Sequence, residues 1–390
     1  MSLTNLGSKM KKLYSFYQNA IQTQKDSLNF RFLKPLEIEG KYIFQDGRKL
    51  LNLSSNDYLG ISTKKEIFRD FLSSYDKPLN VPSARLLCAN TKSYTKLEEL
   101  LCEKFSKEAA LLFNSGYHAN VGIYSSLAKN GDVVFCDKLN HASIVDGIRL
   151  SKSELIPFKH SDYDDLENKL KKYRAKYNNA IISTEALFSM DGDFCDIKKL
   201  IELKEKYNAI LVVDEAHSFG VYGSGLGFCA QEGVLDKIDL LMATFGKSVG
   251  SYGAFCVGDR VLIDYLINFA RSFIFSTVFP QINAEFSYYV LKNYIFKSDE
   301  FSKKLLELTD FAHKNLKGFN VLGSSYIVPV VFGENKKAIE ASKKLYDAGY
   351  YCLPIRYPTV AKNSARLRIS LNSAIEESDI FRLIDYMKKL

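Results

Sequence analysis

The chain has 390 residues, 46% of them apolar and 25% charged, with no low-complexity tract. That excludes a long disordered segment or a coiled-coil rod and suits a folded enzyme with one large core and a second, smaller unit. The formal charge of +8 comes from lysines scattered among acids, as in Asp164, Glu167, Lys169, Lys171 and Lys172, which is the pattern of solvated helix faces and no argument for nucleic acid.

In chain order, Leu13, Phe16, Tyr17 and Ile21 recur at helical spacing and predict an amphipathic N-terminal helix over 8–26 that packs on another part of the fold. From about residue 48, short apolar runs alternate with amphipathic stretches. The runs are Ala109 to Phe113, Val133 to Cys136, Ala180 to Thr184, Ala209 to Asp214, Leu240 to Thr244 and Ala254 to Val257. Such alternation predicts an α/β fold with a mostly parallel sheet covered by helices. After about 286 the pattern changes to helices near 299–317 and 336–348, with strands near 325–332, 351–355 and 366–370, which predicts a smaller α+β unit. The expected division is an N-terminal helix and arm at 1–47, a large domain at 48–285 and a small C-terminal domain at 286–390.

No uncharged run reaches the ~18 residues of a membrane span, and no apolar stretch of signal-peptide length opens the chain. The seven cysteines form no CxxC pair, and an odd count at irregular spacing argues for a reducing compartment, so a cytoplasmic protein is expected. The five histidines lack metal-ligand spacing, so no metal is assigned. A serine-hydrolase elbow is absent too.

Two runs carry chemistry. The strand ending in Asp214, followed by Glu215-Ala216-His217, sets a carboxylate at a carboxyl-terminal strand edge, where open α/β sheets bind ligands. The next apolar run, Asp239 to Lys247, delivers a lysine beside Gly246. Pyridoxal 5'-phosphate (PLP) needs such a pair: an amine to hold it covalently, and an acid to keep its pyridine nitrogen protonated as an electron sink. Alone, either residue reads better as a helix cap or a surface lysine; together they favour the cofactor. Phe113-Asn-Ser-Gly-Tyr117 leaves a strand and opens a helix, so the amides of Ser115, Gly116 and Tyr117 can face a phosphate. His141, also just past a strand, can lie over a ring face.

The ordered motifs Leu53-Ser-Ser-Asn-Asp-Tyr-Leu-Gly60, Leu139-Asn-His-Ala-Ser143, Glu185-Ala-Leu-Phe-Ser-Met-Asp-Gly-Asp193, Val213-Asp-Glu-Ala-His217, Thr244-Phe-Gly-Lys247 and Ile355-Arg-Tyr-Pro-Thr-Val360 with Ala365-Arg-Leu-Arg368 resemble the α-oxoamine synthase family of fold-type I PLP enzymes. The resemblance runs from about residue 28 to the C-terminus. It implies that Lys247 bears the cofactor, Asp214 pairs with the pyridine nitrogen, His141 stacks on the ring and His217 bonds its hydroxyl, with Ser189 nearby. It places the phosphate on Ser115, Gly116, Tyr117 and Thr244, with Ser276 and Thr277 supplied by a second subunit of a homodimer. Asn56, Arg31, Arg356 and Arg368 would bind substrate. Arg366 competes with Arg368, since residues two apart on a strand share one face.

The resemblance further implies a condensation of an amino acid with an acyl thioester, with loss of the amino acid's carboxylate. The Asn-Asp-Tyr-Leu-Gly and Arg-Tyr-Pro-Thr-Val stretches are most similar to the member that joins L-alanine to a pimeloyl group; glycine- or serine-using members and a PLP aminotransferase are the rivals. The sequence departs from the family pattern at Asn80 to Arg85, at Tyr94 and at Gly225-Leu226-Gly227, changes expected to touch acyl-donor recognition more than the cofactor.

Overall fold

The structure is a computed structural model describing residues 3–389, with side chains from residue 13. Fourteen strands follow one another among the described residues. The first three are β1 (Glu37–Glu39), β2 (Tyr42–Gln45) and β3 (Arg48–Asn52); the next seven are β4 (Ala109–Phe113), β5 (Val133–Asp137), β6 (Glu154–Phe158), β7 (Ala180–Glu185), β8 (Ile210–Asp214), β9 (Leu240–Thr244) and β10 (Ala254–Gly258). The last four are β11 (Ile327–Gly333), β12 (Tyr350–Tyr351), β13 (Pro354–Ile355) and β14 (Ala365–Ser370).

The seven-stranded sheet runs β4-β10-β9-β8-β7-β5-β6, parallel except for β10, which is antiparallel to both neighbours. Strands β4, β5, β7, β9 and β10 are buried at every residue, because helices cover both faces. On one face Ile123 and Tyr124 of the helix Gly116–Leu127 pack with Ile144 and Ile148 of Ala142–Ser151 and Ile263 of Arg260–Phe269. The other face meets Leu97 and Leu101 of Lys92–Phe105 and Leu200 of Ile197–Lys206 in a core that continues into the C-terminal part. This is the mostly parallel, helix-covered sheet that the alternating runs predict.

Three features differ from the sequence-based expectation. Edge strand β6 escapes a search for apolar runs because it carries Glu154 and Pro157, both exposed; an edge strand tolerates a proline that a central one does not. The β2–β3 hairpin turns on Asp46-Gly47, both at positive φ (51° and 74°), an Asp-Gly turn of the kind that matches strand twist. The N-terminal helix spans Leu3–Asp26, but the apolar residues expected to pack on the rest of the fold do not: Leu13, Phe16, Tyr17 and Ile21 are all exposed, Phe16 by 73%.

The C-terminal part holds the antiparallel sheet β11-β14-β13 against the helices Glu300–Asn315, Asn335–Asp347 and Glu377–Met387. Strand β12 pairs in parallel with β3, the Leu51 and Leu53 amides donating to the Gly349 and Tyr351 carbonyls. That pairing brings the segment after β3, with Asn56 and Tyr58, beside β14 and its two arginines. The site lies where these meet the carboxyl ends of β7, β8 and β9.

Candidate active site

Asp214 ends β8 next to Glu185 at the end of β7, in direct register. Both carboxyls, with Lys247, His141, His217, Asn120, Gly116, Tyr117 and Thr244, line a cavity of about 190 Å³ at the carboxyl-terminal edge of the sheet. The two acids differ in what they accept. Asp214 accepts a bond on each oxygen, from Asn120 Nδ2 (2.9 Å) and from the Ala216 amide (2.8 Å). Glu185 is 2% exposed and its Oε1 has no partner; burial, then the neighbouring Asp214 charge, raises its carboxyl well above the usual range. The two acids therefore differ in setting: Asp214 is hydrogen-bonded on both oxygens, whereas Glu185 is buried with one oxygen unpartnered among the described residues.

Lys247 follows β9 in a tight turn closed by the Gly250 amide donating to its carbonyl. Its Nζ lies 2.8 Å from His217 Nε2. Burial pushes the amine down to about 8, against the pull of Asp214 and Glu185. Burial, then the Lys247 charge, holds His217 well below the ordinary imidazole value, so it is neutral at pH 7. His141 closes the cavity, with Nδ1 2.7 Å from Ser143 Oγ, and burial lowers its imidazole too.

The helix Gly116–Leu127 begins at the cavity with Ser115 as its cap, the hydroxyl accepting from the His118 amide. A helix start leaves backbone N–H groups unpaired and attracts anions. Thr244 faces it, its hydroxyl donating to Gly253 O (2.9 Å) and accepting from the Gly246 amide (3.1 Å). Tyr117 turns its hydroxyl out to Asp146, so only its backbone serves the helix start.

Strand β14 carries Arg366 and Arg368, both buried. The structure separates them. Arg366 is ion-paired to Asp191 Oδ1 (2.7 Å) and donates to the Met190 carbonyl. Arg368 has no carboxylate partner among the described residues; it donates to the Ser189 carbonyl, Asn56 Oδ1 (3.2 Å), Ser370 Oγ (2.6 Å) and Tyr58 Oη (3.1 Å). A buried guanidinium without a counter-ion is a place for an incoming carboxylate.

The other expected residues sit further out. Ser189 meets Arg368 through its carbonyl. Arg356 donates to the Leu28 carbonyl, and burial, then the Arg31 charge beside it, lowers its guanidinium; neither arginine lines the cavity. Ser276 and Thr277 contact Asn114 Nδ2, and Ser276 lines a separate small cleft with Arg85. Sequence reasoning assigned no role to Asn120, Glu185 or Tyr58. Asn120 had a legible signal, since it stands four residues after Gly116 and so on the same helix face.

The donor set fits PLP. An orphan Glu185 oxygen and an orphan Asn120 Oδ1 lie at a cavity with the Asp214 carboxyl at one side, an amine at another and a helix start at a third.

The model of the class I and II aminotransferases matches residues 48–387. The chain belongs to this family. A relative from Chlorobaculum parvum named 8-amino-7-oxononanoate synthase is 42% identical over 361 residues, 90% of this chain and 92% of its own. One from Haemophilus influenzae, bearing that name provisionally, is 42% identical over 90% of this chain and 94% of its own. Among solved structures, the serine palmitoyltransferase of Sphingomonas wittichii superposes with a TM-score of 0.88 at 25% identity over 97% of both chains. The 8-amino-7-oxononanoate synthase of Francisella tularensis gives 0.75 at 27% identity, over 87% of this chain and 97% of its own. A structure of SPT with PLP gives 0.87 at 25% identity over 97% of both chains. The chain is thus a PLP-dependent transferase of the 8-amino-7-oxononanoate synthase type.

Proposed function

We propose that the chain joins L-alanine to the acyl group of a pimeloyl thioester, with loss of the alanine carboxylate, giving 8-amino-7-oxononanoate for biotin synthesis. The observation that carries the amino-acid part is Arg368, a buried cation with no acid partner among the described residues, tied through Tyr58 to the His217–Lys247 pair. The choice of alanine and pimeloyl rests on the 42% relatives named for that product.

When bound, PLP supplies an electron sink for negative charge developing at the amino-acid Cα. Lys247 would hold it, Asp214 would keep its ring nitrogen protonated, and the amides at Ser115, Gly116 and Tyr117 with Thr244 would take its phosphate. His141 would cover one face and His217 would reach the ring hydroxyl. Of the chain's own groups, Lys247 is the proton carrier: an amine pushed down to about 8 is partly unprotonated near neutrality and can both take and return a Cα proton. Asn56 Oδ1 and Tyr58 Oη hold the Arg368 fork in place for the substrate carboxylate. Arg31 and Arg356, two cations that feel each other's charge outside the cavity lining, would suit an anionic group at the far end of the acyl donor.

A homodimer is part of this reading, with Ser276 and Thr277 crossing to the partner's phosphate. The exposed Leu13, Phe16 and Tyr17 on one helix support it, since a clustered apolar surface marks a place for a partner. A cytoplasmic setting is also part of this reading; all seven cysteines are unpaired, and among the described residues no helix is long and apolar enough to cross a membrane.

The test is product identity by mass spectrometry after PLP-loaded protein meets pimeloyl-CoA with L-alanine, glycine or L-serine. The mass of 8-amino-7-oxononanoate with alanine, in excess over the other two products, is expected. A larger glycine product would point to 2-amino-3-ketobutyrate CoA ligase-like selectivity. Amino transfer to an added 2-oxo acid, without condensation, would point to an aminotransferase.

A further inference from the structure

The hydroxyl of Tyr58 supports Arg368, but its contact with His217 is left unexplained by that role. The residue is fully buried, its ring 4.6 Å from that of Tyr326. Its oxygen meets Asn56 Oδ1 (3.1 Å), Arg368 Nη2 (3.1 Å) and His217 Nδ1 (2.7 Å). A phenol has one proton to give and two lone pairs. Arg368 can only donate. The Asn56 atom must be the oxygen, because it also faces Arg368 Nη1 at 3.2 Å, another obligate donor. The phenol proton therefore goes to Asn56, and one lone pair is taken by Arg368. What remains for His217 is a lone pair, which requires a proton on Nδ1. A neutral imidazole with Nδ1–H presents a bare Nε2, and Nε2 faces Lys247 Nζ at 2.8 Å.

We propose that Tyr58 is a positioning residue that fixes His217 as the Nδ1–H tautomer, so that Nε2 is an acceptor aimed at Lys247. The inference rests on the proposed use of Lys247 and deepens it. Nε2 accepts one of the three ammonium protons and keeps the amine turned toward the cavity. The same junction ties the amino-acid site to the proton carrier: a carboxylate arriving at Arg368 pulls on a guanidinium whose Nη2 is bonded to Tyr58, and through it acts on His217. Removal of the phenol oxygen leaves Nδ1–H without its acceptor and frees the ring to exchange tautomers.

The test is ¹⁵N NMR of histidine-labelled protein, with and without PLP, the His217 resonances assigned from a His217→Gln sample. The expected native spectrum shows Nδ1 protonated and Nε2 unprotonated in the protein without PLP. A protonated Nε2 there overturns the proposal whatever any variant does. Tyr58→Phe, which keeps the ring and its packing, is expected to give mixed tautomers and to lower kcat by about tenfold, a fraction of the ~10²–10⁴ that a positioned proton-transfer group supplies. KM for the amino acid should change less than kcat. An unchanged His217 spectrum in folded Tyr58→Phe also overturns the proposal. Failure of native protein to take up PLP, with the tautomer as stated, would instead sink the cofactor reading and leave the hydrogen-bond assignment standing.

Discussion

Replacing His160 by glutamine is expected to destabilise the protein in a way that fades with rising pH. His160 lies between two acids: Nδ1 is 3.0 Å from Asp137 Oδ1 and Nε2 is 2.8 Å from Asp193 Oδ2. Burial opposes the imidazolium, yet hydrogen bonds to Asp137 and Asp193 raise it from 6.5 to about 10. The clamp fixes the far end of the loop after β7, whose Ser189 and Asp191 meet Arg368 and Arg366.

A folded-state value above the unfolded one means that the contribution is complete below about 6.5 and is lost as pH climbs through about 10. At ~1.4 kcal/mol per pH unit, the gap between 6.5 and about 10 sets an upper limit near ~5 kcal/mol. The side chain is 21% exposed, so water screens part of this and ~2–4 kcal/mol is the expected loss. The assay is urea unfolding of native protein and His160→Gln from pH 6.5 to 10, taking the difference so that other titrating groups cancel. A difference of ~2–4 kcal/mol at pH 6.5, shrinking below ~1 kcal/mol near pH 10, is expected. A constant or absent difference would refute the charged clamp.

Arg368→Lys should raise KM for the amino acid by roughly ten- to a hundredfold, the worth of a charge-assisted fork. Arg366→Lys, whose partner is Asp191, should change KM far less; steady-state kinetics on both variants decides. Asn120→Ala removes one of the two bonds Asp214 accepts and should weaken PLP binding about tenfold, read by equilibrium titration of absorbance. In protein without PLP, acylation of Lys247 by a small amine-reactive reagent should rise with pH about a midpoint near 8, because burial disfavours the ammonium and frees the amine early; peptide mapping isolates this lysine from the surface ones.

Much of the fold was legible because strands buried on both faces write themselves as apolar runs. The six runs named from the sequence correspond to β4, β5, β7, β8, β9 and β10, to within a residue at their ends. The edge strand β6 hid behind its proline and glutamate, and the β1–β3 hairpin hid although Asp46-Gly47 marks its turn. Asp214 and Lys247 were readable as strand-end residues, since their placement depends on local pattern. Arg366 and Arg368 could not be told apart, since a period of two puts both on one face. What separates them is tertiary: Asp191 from the loop after β7 neutralises one, and Asn56 and Tyr58 from the segment after β3 meet the other. Tyr58 lies 159 positions from His217, and no local pattern announces that meeting.

The central claim is most directly tested by thiol release from pimeloyl-CoA by PLP-loaded protein, with and without L-alanine, alongside Lys247→Ala. Release that needs alanine, is matched by an equal amount of carbon dioxide and vanishes in the variant is the predicted result. Release independent of alanine, or surviving the loss of Lys247, would contradict it.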